Sequence, residues 1–223
     1  MDEYDILFGK NAYLYRQYYK KLIEDNQKFN LTSITEETEV LYKHFLDSSE
    51  AGKVFAKDAT VVEIGSGAGF PSIPLKIERS DLSFTLIESN NKKCNFLKEV
   101  ALMLNFCNFN VLCDRAEAAG KSHLRESFDY GIARAVAKCN TLLEYLMPLI
   151  KVGGYAVLWK GQSLTEELKE ARNAINILGG KLEKIISYEI GDYGTHYYCI
   201  IKKVKETPSK YPRGNGKERK CPL

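Results

Sequence analysis

A chain of 223 residues with 44% hydrophobic and 27% charged side chains can bury one sizeable core behind an ordinary soluble surface. No apolar run approaches the roughly 18 residues of a membrane span, and "MDEYDILFGK" lacks the basic and apolar regions of a signal peptide, so a cytoplasmic protein off the membrane is expected. The net charge of +3 hides a positive tail: residues 202–223 carry eight Lys/Arg and two Glu, which points to a polyanionic partner or, on charge alone, to a merely solvated end.

In chain order, the first fifty residues read as helical. "AYLYRQYYKKLIEDNQKF" sets Leu14, Tyr18 and Leu22 at helical spacing. A second helix over "SITEETEVLYKHFLDSSEAG" has Thr35 as its predicted N-cap, Glu36 and Glu37 in the first turn and Gly52 as its stop. From residue 60 short β-branched runs alternate with helical segments. Strands are predicted at "TVVEI", "SFTLIES", "FNVLCD", "FDYGIAR" and "GGYAVLWKG", with helices after Pro71 and at "NNKKCNFLKEVALMLN", "VAKCNTLLEYLMPL" and "LTEELKEARNAINIL". That alternation predicts βαβ units and a mainly parallel sheet. "KLEKIISYEI" and "HYYCIIKKV" close the fold as an antiparallel hairpin at the sheet's edge. The expected division is a helical extension over 1–52, an α/β domain over 53–205 and a basic tail over 206–223, in one compact unit. The six cysteines and three histidines are scattered without ligand spacing, so no metal site is expected.

The stretch "VEIGSGAGFPSIPL" follows the first strand of the sheet directly. Gly65, Gly67 and Gly69 let a ligand approach the backbone at the carboxyl end of that strand. A dinucleotide fingerprint needs its third glycine at position 70, which is Phe, and no G-K-[ST] of a P-loop is present. What remains is [D/E]-x-G-x-G-x-G beginning at Glu63, the pattern of S-adenosylmethionine-dependent methyltransferases. With Pro71 at the first helical position and Pro74 at the fourth, only Ser72 and Ile73 keep free N–H groups. That is few for a pyrophosphate and enough for one carboxylate. Glu88, ending the second strand, is placed to take ribose hydroxyls; the plain alternative is a solvated acid opening the next helix.

These residues resemble the RsmG (GidB) family, bacterial 16S ribosomal RNA guanine-N7 methyltransferases. The likeness runs through "FNLTSI", "KHFLDS", "VEIGSGAGFPSIPL", "LIESNNKKCNFLKEV", "DRAE", "ARAVA", "WKG" and "YPRGNGKERKCPL". It implies a Rossmann-like class I methyltransferase fold with S-adenosylmethionine as methyl donor, held by Gly65–Phe70, with adenine near Ala116 and Glu117. It also implies that Arg134 stands at the cofactor and active site, and that the partner is 16S rRNA of the small ribosomal subunit. The sequence leaves the oligomeric state open, with a monomer as the expectation. Departures are Glu63 for the usual Asp, Ser72 for Gly, Ala133 for Ser, and Gly214 for a basic residue in the tail. Guanine N7 has an exposed lone pair, so no catalytic base is named and catalysis is expected to rest on orientation. His44 and Asp47 lie three apart on one helix face and are candidates for lining the site or positioning RNA, or else form a packed polar pair. Lys160 is a candidate phosphate or base contact, or a strand-end lysine. Lys210, Arg213, Lys217, Arg219 and Lys220 form an extended basic segment suited to backbone phosphates. A methyltransferase acting on another RNA or a small molecule, or a non-catalytic ribosome-assembly or RNA-binding factor, are the competing readings.

Overall fold

The computed structural model describes residues 2–223. Helices α1 (Glu3–Phe8) and α2 (Ala12–Asn26) open the chain. A continuous helical stretch follows: α3 (Glu37–Val40), a π-helical segment (Leu41–Leu46), α4 (Asp47–Ser49) and a 3₁₀ turn (Glu50–Val54). Glu36, not Thr35, caps this stretch, its carboxylate accepting from the N–H groups of Thr38 (3.1 Å) and Glu39 (2.7 Å). A carboxylate reaches two donors where a threonine hydroxyl satisfies one, and the cap moves one residue along. Gly52 does not end the helix, which winds on to Val54.

The alternating part then runs β1 (Thr60–Ile64), α5 (Ser72–Glu78), β2 (Ser83–Glu88), α6 (Asn91–Met103), β3 (Phe109–Cys113), α7 (Ala116–Ala119), β4 (Phe128–Arg134), α8 (Cys139–Leu146) and β5 (Ile150–Lys160). Helices α9 (Leu164–Glu170) and α10 (Arg172–Ile177) lead to β6 (Gly180–Glu189) and β7 (Thr195–Lys203), and α11 (Lys217–Lys220) lies near the end. The sheet order is β3-β2-β1-β4-β5-β7-β6, with β1 to β5 parallel and β7 antiparallel to both neighbours. The expected mainly parallel sheet with an antiparallel hairpin at its edge is what forms. Strand order reverses between β1 and β4, and a crevice opens beyond their carboxyl ends.

Strand residues alternate between two apolar layers. Val61, Leu86, Ile132 and Val157 face a layer that includes Tyr15, Phe45, Leu75 and Phe96; Val62, Ile87, Ala133 and Leu158 face one that includes Leu142, Leu146, Ile175 and Tyr211. The N-terminal helices belong to the first layer. Tyr18 is fully buried and its hydroxyl donates to the Ala68 carbonyl at 2.5 Å, so α2 grips the loop after β1.

The tail departs from the expectation of an extended basic segment. Tyr211 is buried in the second layer, and Arg125 donates to the carbonyls of Thr207, Pro208 and Tyr211. Arg213 donates through Nε (2.8 Å) and Nη2 (2.7 Å) to Glu144, a carboxylate with no exposed surface. Thr141 donates to the Glu218 carbonyl at 2.8 Å. A basic composition says nothing about buried acids elsewhere in the chain, and it is Glu144 that draws the tail in. Removing one member of a buried pair leaves the other charge desolvated. Arg213→Ala is therefore expected to lower unfolding free energy by about 3 kcal/mol, and Arg213→Ala with Glu144→Gln to recover most of it, measured by urea denaturation.

Candidate active site

At the end of β1 the chain turns through Gly65 (φ +65°) and Gly69 (φ +96°), where side chains are disfavoured. A Cβ would stand 2.8 Å from Val136 Cγ2 at Gly65 and 2.2 Å from Ile73 Cδ1 at Gly69. Glu88 fastens this loop from the next strand. Its Oε2 accepts from the Gly67 N–H at 3.0 Å and its Oε1 from the Asn90 N–H at 2.8 Å, leaving each oxygen a spare lone pair. A cavity of about 220 Å³ opens beside the loop, between Ile64, Gly65, Ile87 and Ser89 on one side and Asp114, Arg115, Ala116 and Glu117 on the other. Val136, Tyr145, Gly216 and Arg219 complete its wall. Of the sequence-predicted residues, Gly65, Ala116, Glu117 and Arg219 meet here.

Glu63 lies beneath the loop with both carboxyl oxygens buried and without a hydrogen-bond partner; the neighbouring Ser66 and Ser72 hydroxyls are equally unpaired. Burial pushes its carboxyl up to about 7. Helix α5 begins at Ser72, with Pro71 preceding it as the cap residue, and the Ile73 N–H donates to the Gly69 carbonyl at 2.8 Å. The predicted pair of free donors shrinks accordingly: the tight turn consumes that of Ile73.

Phe70 sits elsewhere than predicted. Its ring packs on His44 (centroids 4.3 Å apart) and Tyr18, and the Arg134 guanidinium lies 5.0 Å above it, so it supports the neighbouring site and does not line the first cavity.

A second cavity, of about 360 Å³, lies across the end of β4 and is lined by Ile34, Lys43, His44, Asp47, Arg134, Ala135, Trp159, Lys160, Gly161, Tyr188, Tyr193 and His196. Its organising group is Asp47. The buried carboxylate accepts from Arg134 Nη1 (2.8 Å), Tyr188 Oη (2.7 Å) and His196 Nδ1 (2.7 Å), while its backbone carbonyl accepts from Trp159 Nε1 (3.0 Å). The π-helical turn before Asp47 widens the helix by one residue, the Asp47 N–H donating to the Tyr42 carbonyl, as helices often do at functional sites. Arg134 also donates to the Lys43 carbonyl and, through Nη2, to His44 Nδ1 at 3.0 Å. A guanidinium only donates, so Nδ1 is the acceptor and Nε2–H donates to Thr32 Oγ1 at 2.9 Å. Burial, then the Arg134 charge, holds His44 down at about 3, and the ring is neutral. Lys160 is occupied by the Ala137 carbonyl (2.8 Å) and Glu167 (2.7 Å).

Only three residues separate the cavities: Arg134 and Ala135 line the second and Val136 the first. Ala135 adopts φ +57°, a conformation costly for a non-glycine residue, and the sharp turn lets adjacent side chains serve opposite sides.

A family model described as rRNA small subunit methyltransferase G (GidB) matches residues 11–193. The chain is 46% identical over 207 residues to the ribosomal RNA small subunit methyltransferase G of Alkaliphilus metalliredigens, covering 91% of this chain and 86% of that one. It is 43% identical over 227 residues to the Clostridium perfringens (strain 13) protein of the same name, covering 100% and 95%. The chain belongs to the RsmG (GidB) family. Among solved structures it is similar to a SAM-dependent methyltransferase from Aquifex aeolicus (TM-score 0.54, 19% identity, 80% of this chain and 97% of that one). It is also similar to M. jannaschii TYW2 in complex with AdoMet (TM-score 0.57, 17% identity, 77% and 80%), which together establish the class I methyltransferase fold.

RsmG proteins are S-adenosylmethionine-dependent enzymes, and the residues present fit that cofactor. Its ammonium suits a buried, unpaired carboxyl such as Glu63, its ribose the spare lone pairs of Glu88, and its adenine the cavity between Ile87 and Ala116. Sequence reasoning missed Tyr188, His196 and Gly216, which lie far along the chain in the hairpin and tail; the one available signal was the pair of polar aromatics flanking the turn after "KLEKIIS". Arg213 is brought to Glu144 and not to either cavity, whereas Lys217 and Lys220 stay exposed. Asp47→Asn keeps one acceptor, but its N–H groups are satisfied only if Tyr188 or His196 turns from donor to acceptor, and it strips Arg134 of its counter-charge. It is expected to cost about 3 kcal/mol of stability, measured by denaturant unfolding.

Proposed function

We propose that the protein transfers a methyl group from S-adenosylmethionine to N7 of a guanine in 16S rRNA of the small ribosomal subunit. The observation that carries this is the pair of cavities meeting across Arg134, Ala135 and Val136. One has acids and a glycine loop suited to an adenosine with an amino-acid arm; the other is aromatic and sized for a base. When bound, the cofactor supplies an electrophilic sulfonium methyl. Glu63 holds the ammonium, Glu88 the ribose hydroxyls, and Gly65, Gly67 and Gly69 let the backbone come close. Arg134, fixed from three sides by Lys43, His44 and Asp47, keeps the boundary between the cavities rigid. Guanine N7 needs no deprotonation, and His44, with both ring nitrogens engaged, is not positioned as a base. Rate enhancement then comes from alignment of the two reactants.

Lys210, Lys217 and Lys220, on the exposed face of the docked tail, contact rRNA phosphates, and His44 and Lys160 act through the shape of the base cavity. The substrate places the enzyme in the cytoplasm, where it works as a monomer. With labelled S-adenosylmethionine and small subunits from cells lacking this protein, the expected outcome is one new 7-methylguanosine, mapped by mass spectrometry. Gly65→Asp, whose side chain would meet Val136, should lower transfer at least about 100-fold. Absence of label from both subunits and naked 16S rRNA would refute the assignment.

The Glu63 role has its own pH signature. Neutral below about 7 and ionised above it, the carboxyl pairs with the cofactor's ammonium only in its charged form. Cofactor affinity should therefore rise with pH through about 7 and fall by up to about tenfold per unit below it. Glu63→Gln should bind more weakly with a flat profile, measured by calorimetry.

A further inference from the structure

We infer that His196 reads the target base, accepting a hydrogen bond at Nε2 from the N–H groups on guanine's Watson–Crick edge. The inference rests on the guanine methyltransferase reading above and assigns the residue that distinguishes guanine from adenine.

The tautomer of His196 follows from its partner. The Asp47 carboxylate, 2.7 Å away, can only accept, so Nδ1 carries the proton and a neutral ring presents its lone pair at Nε2. His196 lines the second cavity with its side chain 30% exposed, and Nε2 has no hydrogen-bond partner among the described residues. Most other polar side chains around it are already committed, the exception being the Tyr193 hydroxyl, which lines the same cavity. Arg134 is spent on Lys43, Asp47 and His44; both nitrogens of His44 are used; the Tyr188 hydroxyl donates to Asp47; Lys160 is tied to Glu167; Lys43 is paired with Glu39. That leaves His196 Nε2, which in this tautomer only accepts, and the Tyr193 hydroxyl, which donates or accepts and so does not by itself tell guanine from adenine.

A guanine with N7 turned toward the cofactor cavity carries N1–H and the exocyclic amine on another edge, and those donors lose water on entry. An acceptor held there by Asp47 satisfies one of them. Adenine has a lone pair at N1 and no amine at C2, so the same nitrogen repels it. A site built around a substrate N–H rejects analogues lacking it far better than an apolar pocket can. The Asp47 carboxylate thus has two separable uses: it balances Arg134 and it orients the reading nitrogen.

Two variants separate recognition from packing: His196→Phe keeps the ring without the lone pair, and His196→Gln keeps an acceptor at the side-chain tip. On small subunits from cells lacking the protein, His196→Phe should lower kcat/KM for methyl transfer by about 30-fold. His196→Gln should stay within about threefold of wild type, and both should bind S-adenosylmethionine within about twofold of it. Unchanged kcat/KM in His196→Phe, or equal damage in both variants, would overturn the inference. A second measurement needs no methyl transfer. Trp159, the single tryptophan, lines the cavity, and quenching of its fluorescence reports nucleotide entry. Wild type should bind 5′-GMP at least about fivefold more tightly than 5′-AMP, and His196→Phe should bind them alike. Equal binding by wild type would overturn the inference even with subunits methylated. A GMP preference that depends on His196, in an enzyme inactive on subunits, would sustain it and count against the proposed rRNA substrate instead.

Discussion

The Asp47 carboxylate is the constraint on which the rest of the molecule depends. It is nearly fully buried, and an isolated charge there would cost several kcal/mol. Its three side-chain donors come from β4, β6 and β7, and its own backbone accepts from β5. The N-terminal helices, the centre of the sheet and the antiparallel hairpin are thereby held around a single group. Geometry at the crevice cannot drift at one of these elements without unpairing a buried donor at another.

Aromatic packing carries the same function into the apolar layer. Phe70 closes the glycine loop, touches Tyr18 and Phe45 from the N-terminal helices, and lies under the Arg134 guanidinium. The loop beside the first cavity and the arginine that lines the second therefore rest on one ring. Since dense cores transmit displacement poorly absorbed by voids, the two cavities share a common floor.

The fold was legible because its signals are local. β-branched runs alternating with amphipathic segments predicted the five parallel strands, and "VEIGSGAGFPSIPL" located the crevice by showing where side chains could not be tolerated. Gly65, at the edge of the first cavity, could be read for that reason. The far side could not. His196 and Tyr188 acquire their significance from Asp47, about 140 residues earlier, and no spacing rule connects residues joined only by the sheet's closing hairpin. Phe70 misled in the opposite way: adjacency to the glycines suggested contact with a ligand, whereas the turn directs the ring into the core. The tail misled because charge was counted without its buried counterpart, Glu144. Helix ends erred by a residue or two where a carboxylate or a 3₁₀ turn outcompeted the expected cap.

The docked tail sets an order on the life of the protein. Gly216 and Arg219 are part of the wall of the first cavity, while the loop opposite them is complete some 150 residues earlier. During synthesis the parallel strands and the glycine loop emerge long before the segment from Arg213 onward can seat on Glu144. Until that segment seats, the first cavity lacks one wall. Closure of the first cavity is thus a long-range event, joining the loop after β1 to a helix that follows every strand of the sheet.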